Sequence, residues 1–167
     1  CMEACPYKRI FFNFKKDVGQ KCIFCYPRIE QKVAPACARQ CPGRLRHVGY
    51  LDDENCSVSK FVNKWKIALP LHDEFGTSPN VYYIPPMSPP STGADGNPDY
   101  SKPRIPTEYL EGLFGPRVSE VLDTLNAEMG KRRNGEKSEI MEALIVYRWP
   151  QDIFPDFPND PSDVVGA

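Results

Sequence analysis

Six of the seven cysteines fall within the first 41 residues, at spacings that suit metal binding. Cys22 and Cys25 form a C-x2-C pair, and after a loop of eleven residues Cys37 and Cys41 form a C-x3-C pair. Four thiolates at such spacings can converge on one tetrahedral centre. A zinc ion and an iron–sulfur cluster both satisfy this pattern.

A proline follows the last cysteine of this group, giving the C-x3-C-P sequence that ends at Pro42. The chain opens on a second copy of the same sequence, in which Cys1 and Cys5 precede Pro6. C-x3-C-P ends the bacterial ferredoxin run, in which the final cysteine ligates the other of two clusters. A zinc ribbon needs no second copy, and a disulfide framework does not explain the repeat. The repeat therefore favours iron–sulfur clusters.

Each ligand turn precedes a β-prone stretch that must position it. Lys8–Phe14 follows the first turn, Arg46–Leu51 follows the second, and Asp17–Gly19 predicts a turn between strands and ligands. A repeat of ligand turn and strand is typical of a two-cluster ferredoxin-like unit. We therefore predict an α+β fold with a ferredoxin-like, partial cluster-binding domain over residues 1–51.

The first fifty residues are basic, with ten Lys and Arg against three acids, although the whole chain has a net charge of −1. A basic segment with interspersed aromatics is one signature of nucleic-acid binding. Cations also offset the negative charge of thiolate-bound clusters, and this is the interpretation that we favour. We expect the interspersed aromatic side chains to pack around the clusters and exclude water: Phe11, Phe12, Phe14, Phe24 and Tyr26.

The remainder of the chain predicts helices around a long proline-rich segment. Ser57 is the predicted N-cap of a helix within residues 52–70, which we expect to pack on the cluster-binding domain, and Pro70 ends that region. From Pro79 to Pro106 the prolines and glycines predict no regular element, so residues 71–106 form an extended arm. Helices return over 107–148, and 149–167 is an acidic tail.

The C-terminal helices are predicted from caps and apolar periodicity. Thr107 is the predicted cap of a short helix, and Pro116 is predicted to begin the next one. That helix carries an apolar stripe and ends in three basic residues, and a last short helix follows. The stripe consists of Val118, Val121, Leu122, Leu125 and Met129. Cys56, His47 and His72 are predicted to be structural or surface residues.

The cysteine frame and several longer stretches together resemble a known family. The stretches are Lys21–Glu30, Lys64–His72, Glu74–Thr77 and Asn80–Pro86. They resemble the iron–sulfur β subunit of the dimethyl-sulfoxide-reductase family. The most similar group contains nitrate reductase, nitrite oxidoreductase, the perchlorate, chlorate and selenate reductases, and the dimethylsulfide and ethylbenzene dehydrogenases. The resemblance extends to about Ala143.

The resemblance implies three 4Fe-4S clusters and one 3Fe-4S cluster in the full subunit. It implies that Cys22, Cys25 and Cys37 are three ligands of one 4Fe-4S cluster, whereas Cys41 crosses to the cluster nearest the molybdenum subunit. Because the chain begins inside a ligand motif without an initiator Met, we expect it to be the C-terminal part of a longer protein. The missing ligands would then lie upstream.

In the same way, the resemblance implies that Cys5 completes another 4Fe-4S cluster and that Cys1 is a ligand of the 3Fe-4S cluster. The implied function is electron transfer between a molybdenum-bearing α subunit and a γ subunit or cytochrome that carries haem b. The chain itself is expected to be non-catalytic, not to span the membrane and not to bind nucleic acid. The implied compartment is the periplasm, with the cytoplasmic face as the alternative.

Two alternatives remain open at this point. The complex could be of the nitrite oxidoreductase or nitrate reductase type, or it could be one of the other reductases and dehydrogenases of the group. In a different class, the cysteines could stabilise a zinc-containing interaction or nucleic-acid-binding module. The apolar residues of the arm, among them Tyr82, Tyr83 and Ile105, predict contact with a partner subunit or with the flank of the cluster-binding domain.

Overall fold

A computed structural model describes residues 1–31 and 33–146 of the chain. These residues divide between two compact units. The first unit is Cys1–Val48 together with the segment that begins at Val146, and the second unit is Gly49–Ile145. The predicted acidic tail, residues 149–167, lies outside the described residues.

The first unit begins with an antiparallel hairpin. Strand β1 (Ile10–Asn13) pairs with β2 (Val18–Lys21), so that Ile10 lies opposite Lys21. The strand predicted within Lys8–Phe14 is confirmed. The turn predicted over Asp17–Gly19 is wrong in part, because the chain reverses earlier. Asp17 ends the turn with a left-handed φ of 55°, and the next two residues already belong to β2.

Two short helices follow, α1 (Tyr26–Ile29) and α2 (Ala36–Arg39). The strand predicted over Arg46–Leu51 is wrong, since no strand among residues 1–31 and 33–146 pairs with this segment. A β-prone segment forms a strand only when a neighbour accepts its hydrogen bonds. Nearby, the carbonyl of Arg44 accepts a hydrogen bond from the Val146 amide at 2.9 Å, which ties the two segments of this unit together.

The hydrophobic core of the first unit is very small. Among the described residues it consists of Ala34, Ala38 and Val146, with Val48 packed against them. The aromatic residues that were expected to pack around clusters are exposed, from 37% for Phe12 to 87% for Phe14. The expectation concerns packing against bound clusters, so it remains a prediction.

The second unit begins with α3 (Ser57–Ser59), which continues into a π-helical turn over Lys60–Lys64. In this turn the Trp65 amide donates to the carbonyl of Lys60, five residues earlier, at 2.7 Å. The carbonyl of Phe61 then accepts hydrogen bonds from both Ile67 (3.0 Å) and Ala68 (3.2 Å). The predicted helix is present, but Cys56 rather than Ser57 is its N-cap residue. It contributes Phe61 to the core of the second unit.

The prediction of no regular element from Pro79 to Pro106 is wrong. Strand β3 (Leu69–Pro70) pairs with β4 (Tyr82–Tyr83) after a 3-10 turn at Asp73–Phe75, and β5 (Pro90–Thr92) pairs with β6 (Pro98–Pro103). The prolines of the second hairpin are tolerated because they lie at strand ends, where a ladder hydrogen bond is not required. The turn is closed by the Gly93 amide, which donates to the carbonyl of Asn97 at 2.8 Å.

Three helices complete the second unit: α4 (Thr107–Phe114), α5 (Val118–Arg133) and α6 (Glu139–Ala143). The predicted α5 stripe is confirmed, with Val118, Val121 and Leu125 fully buried. The predicted starts are shifted, because Pro106 is the N-cap residue of α4 and Arg117 that of α5. Pro116 therefore precedes α5 instead of beginning it.

The core of the second unit gathers side chains from its helices and from β3. Its buried members are Phe61, Ile67, Leu69, Leu110, Val118, Val121, Leu125, Ile140 and Met141. Three apolar residues of the predicted arm, Ile84, Met87 and Ile105, pack against this core. The sequence predicted that a partner subunit would bury the apolar residues of the arm. The second unit itself therefore buries some of them. Within the described part of the chain, no helix is long and apolar enough to cross a membrane.

Candidate metal centre

The residues that follow Cys5 and Cys41 adopt the same turn. After Cys5, the Lys8 amide donates to the Cys5 carbonyl at 3.1 Å, and after Cys41 the Arg44 amide donates to the Cys41 carbonyl at 3.1 Å. Lys8 and Arg44 both have left-handed backbones, with φ values of 50° and 48°. The repeat seen in the sequence is thus a repeat of backbone conformation.

In the first turn, the pKa of the Cys5 thiol is lowered mainly by backbone amides. The hydrogen bond from the Arg9 amide is the main cause that lowers the pKa of the Cys5 thiol. The amides of Tyr7 and Lys8 and the positive charge of Lys8 lower this pKa further, against the opposing effect of partial burial. The thiolate is the form of cysteine that binds metal, so this turn favours the ligating form.

The second turn repeats this arrangement position by position. The Leu45 amide is the main cause that lowers the pKa of the Cys41 thiol, and the amides of Gly43 and Arg44 act in the same direction. A cation contributes here as well, in this case Arg46. Both sulfurs therefore receive amides from the residues two, three and four positions after the cysteine. Such N–H donors stabilise thiolate ligands and tune the potential of iron–sulfur clusters.

The C-x2-C pair is shaped by two consecutive left-handed residues, Phe24 (φ 57°) and Cys25 (φ 50°). This bend lets the Phe24 amide donate to the sulfur of Cys22 at 3.3 Å. Cys25 is the N-cap residue of α1, and its carbonyl accepts the Arg28 amide at 2.8 Å. The pair therefore lies on a bent loop that leads directly into α1.

Arg28 links the C-x2-C pair to the next ligand group. Its Nε donates to the carbonyl of Ala34 at 3.2 Å, and its own carbonyl accepts the amide of Val33 at 2.8 Å. Pro35 follows as the N-cap residue of α2, the helix that carries Cys37. Arg28 therefore closes the loop between the two ligand groups through both its side chain and its backbone.

All seven cysteines are free thiols. In each C-x3-C pair the second cysteine, Cys5 or Cys41, is half-buried, and the first, Cys1 or Cys37, is exposed. Across the described ranges 1–31 and 33–146, no three Cys, His, Asp or Glu side chains form a group that could hold a metal ion. The predicted ligand sets, with Cys22, Cys25 and Cys37 around one cluster, therefore remain predictions.

The seventh cysteine belongs to the second unit and is buried. Cys56 is 1% exposed and packs against Gly49. His72 lies in the same unit, where its Nδ1 is 2.8 Å from Oε1 of Glu74 and its ring stacks on Phe75. These contacts are structural. The sequence analysis missed the left-handed residues Lys8 and Arg44, because the repeated Cys-Pro sequence indicates a repeated turn but not its backbone conformation.

Comparison with known protein families adds a chemical identity to this geometry. Residues 1–51 match the family described as the 4Fe-4S dicluster domain. The matched region contains all six cysteines of the ligand frame and both C-x3-C-P turns. The donor set of thiols with converging amides fits that chemistry, and the match favours iron–sulfur over the zinc alternative.

Curated relatives match nearly the whole chain. The β subunit of dimethylsulfide dehydrogenase from Rhodovulum sulfidophilum is 50% identical, with 90% of this chain and 46% of the relative covered. The β subunit of chlorate reductase from Ideonella dechloratans is 53% identical, covering 88% and 45%. The β subunit of respiratory nitrate reductase from Haloferax mediterranei is 49% identical, covering 86% and 51%. The chain spans about half the length of these relatives.

Proposed function

Because the chain belongs with the iron–sulfur β subunits of the dimethyl-sulfoxide-reductase family, we propose that it is an electron-transfer subunit of a molybdenum oxidoreductase complex. It relays single electrons between a molybdenum-bearing α subunit and a haem-bearing γ subunit or cytochrome. The observation that carries this proposal is the pair of equivalent turns at Cys5 and Cys41 within the matched dicluster domain.

The residues of the first unit suit this role in three ways. A bound 4Fe-4S cluster supplies one-electron redox chemistry. The chain supplies thiolates, and the amides around Cys5 and Cys41 favour their charged form. Basic residues next to the two turns, such as Lys8 and Arg46, offset the negative charge that thiolate ligands bring.

The proposed complement is three 4Fe-4S clusters and one 3Fe-4S cluster in the full subunit, with the molybdenum cofactor and haem b in partner subunits. Within this chain, Cys22, Cys25 and Cys37 serve one 4Fe-4S cluster and Cys41 serves the neighbouring one. Cys5 serves a further 4Fe-4S cluster. Cys1 serves the 3Fe-4S cluster.

The crossover of Cys41 is testable in the purified complex by electron paramagnetic resonance. Cys22→Ser and Cys41→Ser are expected to alter two different cluster signals, because the two thiolates belong to different ligand sets. Iron and zinc counts on the same samples test the alternative class, in which zinc replaces the clusters. If both substitutions removed one and the same signal and left all others intact, the crossover would be wrong.

The relatives act on different substrates, yet their identities with this chain lie within 49–53%. The relay common to such subunits is therefore better supported than any one substrate. For the complex we retain the nitrite oxidoreductase or nitrate reductase type, with the other reductases and dehydrogenases of the group as alternatives. Mass-spectrometric identification of the α subunit that copurifies with the chain distinguishes them.

The periplasm is the proposed compartment, because the complexes that this chain resembles outside nitrate reductase work there. In intact cells whose outer membrane has been opened, added protease is expected to digest the chain. Digestion only after the inner membrane is lysed would place the complex in the cytoplasm instead.

The proline-rich segment is proposed to contact the α subunit through side chains that the second unit leaves uncovered. Val81 is 53% exposed and Tyr83 is 45% exposed. In the assembled complex, the amides around these residues are expected to exchange more slowly than in the isolated chain. Equal exchange rates in the two states would contradict this contact.

A further inference from the structure

Lys8 makes more contacts to the first ligand loop than its exposed position suggests. Its backbone amide donates to the Cys5 carbonyl at 3.1 Å, and its ammonium donates to the Glu3 carbonyl at 2.6 Å. The loop is also closed at its start, where the Cys5 amide donates to the Cys1 carbonyl at 3.1 Å. The loop from Cys1 to Cys5 is thus held by two backbone hydrogen bonds and one side chain.

The backbone of Lys8 indicates that this side chain has a role. Its φ of 50° lies in the left-handed region, which is unfavourable for residues with a Cβ and free of strain for glycine. A glycine would form the turn with less strain, but it could not reach Glu3. The equivalent residue of the second turn, Arg44, is also a left-handed cation. Each of the two turns therefore combines a strained backbone with a positively charged side chain at the same position.

The hydrogen bond to Glu3 also fixes where the charge of Lys8 lies. It holds the ammonium on the loop that joins Cys1 and Cys5. A fixed cation beside a cluster ligand stabilises the reduced state, because that state carries one more negative charge.

We propose that Lys8 is a positioning residue for the ligand pair Cys1 and Cys5: it closes their loop through Glu3 and holds a fixed positive charge on that loop. This inference rests on the proposed function, since it concerns the cluster that Cys5 ligates. It assigns to a side chain outside the cysteine frame a part in setting one reduction potential.

The test uses five variants of the intact complex. Lys8→Met removes the ammonium at nearly constant length, Lys8→Gly also removes the backbone strain, and Lys8→Arg retains charge and donor. Lys16→Met is the matched control, because it removes one exposed cation from the turn between β1 and β2 of the same unit. The readouts are the midpoint potential of each cluster signal in a redox titration, and the iron content after incubation with a chelator. Cys5→Ser identifies the relevant signal.

At the wild-type midpoint potential, Lys8→Met and Lys8→Gly are expected to lower the ratio of reduced to oxidised cluster by about threefold. At 59 mV per tenfold change in this ratio, the midpoint potential is then lower by about 28 mV. Both variants are expected to lose iron to the chelator faster than the wild type. Lys8→Arg is expected to match the wild type in both readouts, and Lys16→Met is expected to leave this potential unchanged. Loss of the Cys5 signal in Lys8→Met but not in Lys8→Arg would also support the proposal.

Two results would overturn it. In the first, Lys8→Met and Lys8→Gly have the same midpoint potential and the same iron content as Lys16→Met. The other is a Lys8→Arg complex as altered as Lys8→Met, since charge and donor would then not be the cause. A wild-type complex without iron would instead refute the proposed function, so the two failures are distinguishable.

Discussion

Gly49 is required by the buried thiol of Cys56, and this gives a sharp test of the second unit. A Cβ placed on Gly49 would lie well under 3.0 Å from the sulfur of Cys56, but at ordinary distances of 3.5 Å from Cγ2 of Val58 and 3.7 Å from Cβ of Cys56. The conflict of Gly49→Ala is therefore with a single atom. Because Cys56 is 1% exposed, that atom cannot move into solvent.

The expected cost follows from this geometry. Overpacking a buried site by one methyl group costs about 1–3 kcal/mol of unfolding free energy. Cys56→Ala removes the sulfur and leaves only ordinary contacts, so the double variant is expected to recover most of that cost. The coupling energy between the two substitutions is expected to be about 1–3 kcal/mol. Gly112→Ala is the matched control, because nothing lies within 4 Å of its Cβ and it is helical, so about 0.5–1 kcal/mol of stabilisation is expected.

Denaturant unfolding, followed by the helical circular dichroism signal, measures all four variants. A second readout is the alkylation rate of the buried Cys56, compared between each Gly49 or Gly112 variant and the wild type. At a factor of ten per 1.4 kcal/mol, Gly49→Ala is expected to open this site about 5- to 140-fold more often. A Gly49→Ala chain as stable as the wild type would refute the reasoning. A double variant whose loss of unfolding free energy equals the sum of the two single losses would refute the reasoning as well.

Three further predictions concern packing, pH and metal removal. Leu125 is 0% exposed, so Leu125→Ala is expected to cost about 2–5 kcal/mol in denaturant unfolding, whereas truncation of an exposed α5 residue is expected to cost little. The Lys131 ammonium and then the Ser138 hydroxyl hold the pKa of Glu128 below its ordinary value of 4.5. A carboxyl whose pKa is lowered by folding stabilises the protein at pH values above its ordinary pKa. This stabilisation is lost as the pH falls through the lowered pKa of the folded state. The unfolding free energy is therefore expected to fall below pH 4.5 more steeply in the wild type than in Glu128→Gln, and equal pH profiles would contradict this. Removal of iron by a chelator is expected to speed amide exchange in β1 and β2 of the first unit but not in α5, because the described core of that unit is only a few small side chains; unchanged exchange would argue against structural support by clusters.

The elements that the sequence predicted correctly are those whose pattern is self-contained. Helix α5 is 16 residues long, and its apolar stripe specifies both the helix and its buried face. Arg46–Leu51 was predicted to be a strand, as β1 was, but a strand needs a partner, and composition does not reveal whether one is present. The hairpin of β5 and β6 was missed because its composition argues against strands. Its prolines argue against a strand unless their places at the strand ends are known.

For the candidate site, the chemistry could be predicted from the spacing of the cysteines, but the backbone conformation could not. The spacing of the cysteines predicted an iron–sulfur frame, and the match to the dicluster domain confirms that class. The left-handed backbones of Lys8 and Arg44 could not be predicted from residue type, because lysine and arginine rarely adopt them. The amides that reach Cys5 and Cys41 follow from those backbones. The partition of thiols among clusters depends on distances that spacing alone does not determine.

The π-helical turn at Lys60–Lys64 limits changes in chain length more than changes in sequence. Deleting one of its residues would restore α-helical hydrogen bonding and rotate everything that follows by about 100°, the angle per residue of an α-helix. Ile67 and Leu69, which are 1% and 2% exposed, would then turn away from the core, and the pairing of Leu69 with Tyr83 would lose its register. A substitution at exposed Lys64 disturbs none of these contacts. Insertions and deletions should therefore be excluded from this turn, whereas a substitution at Lys64 should be tolerated.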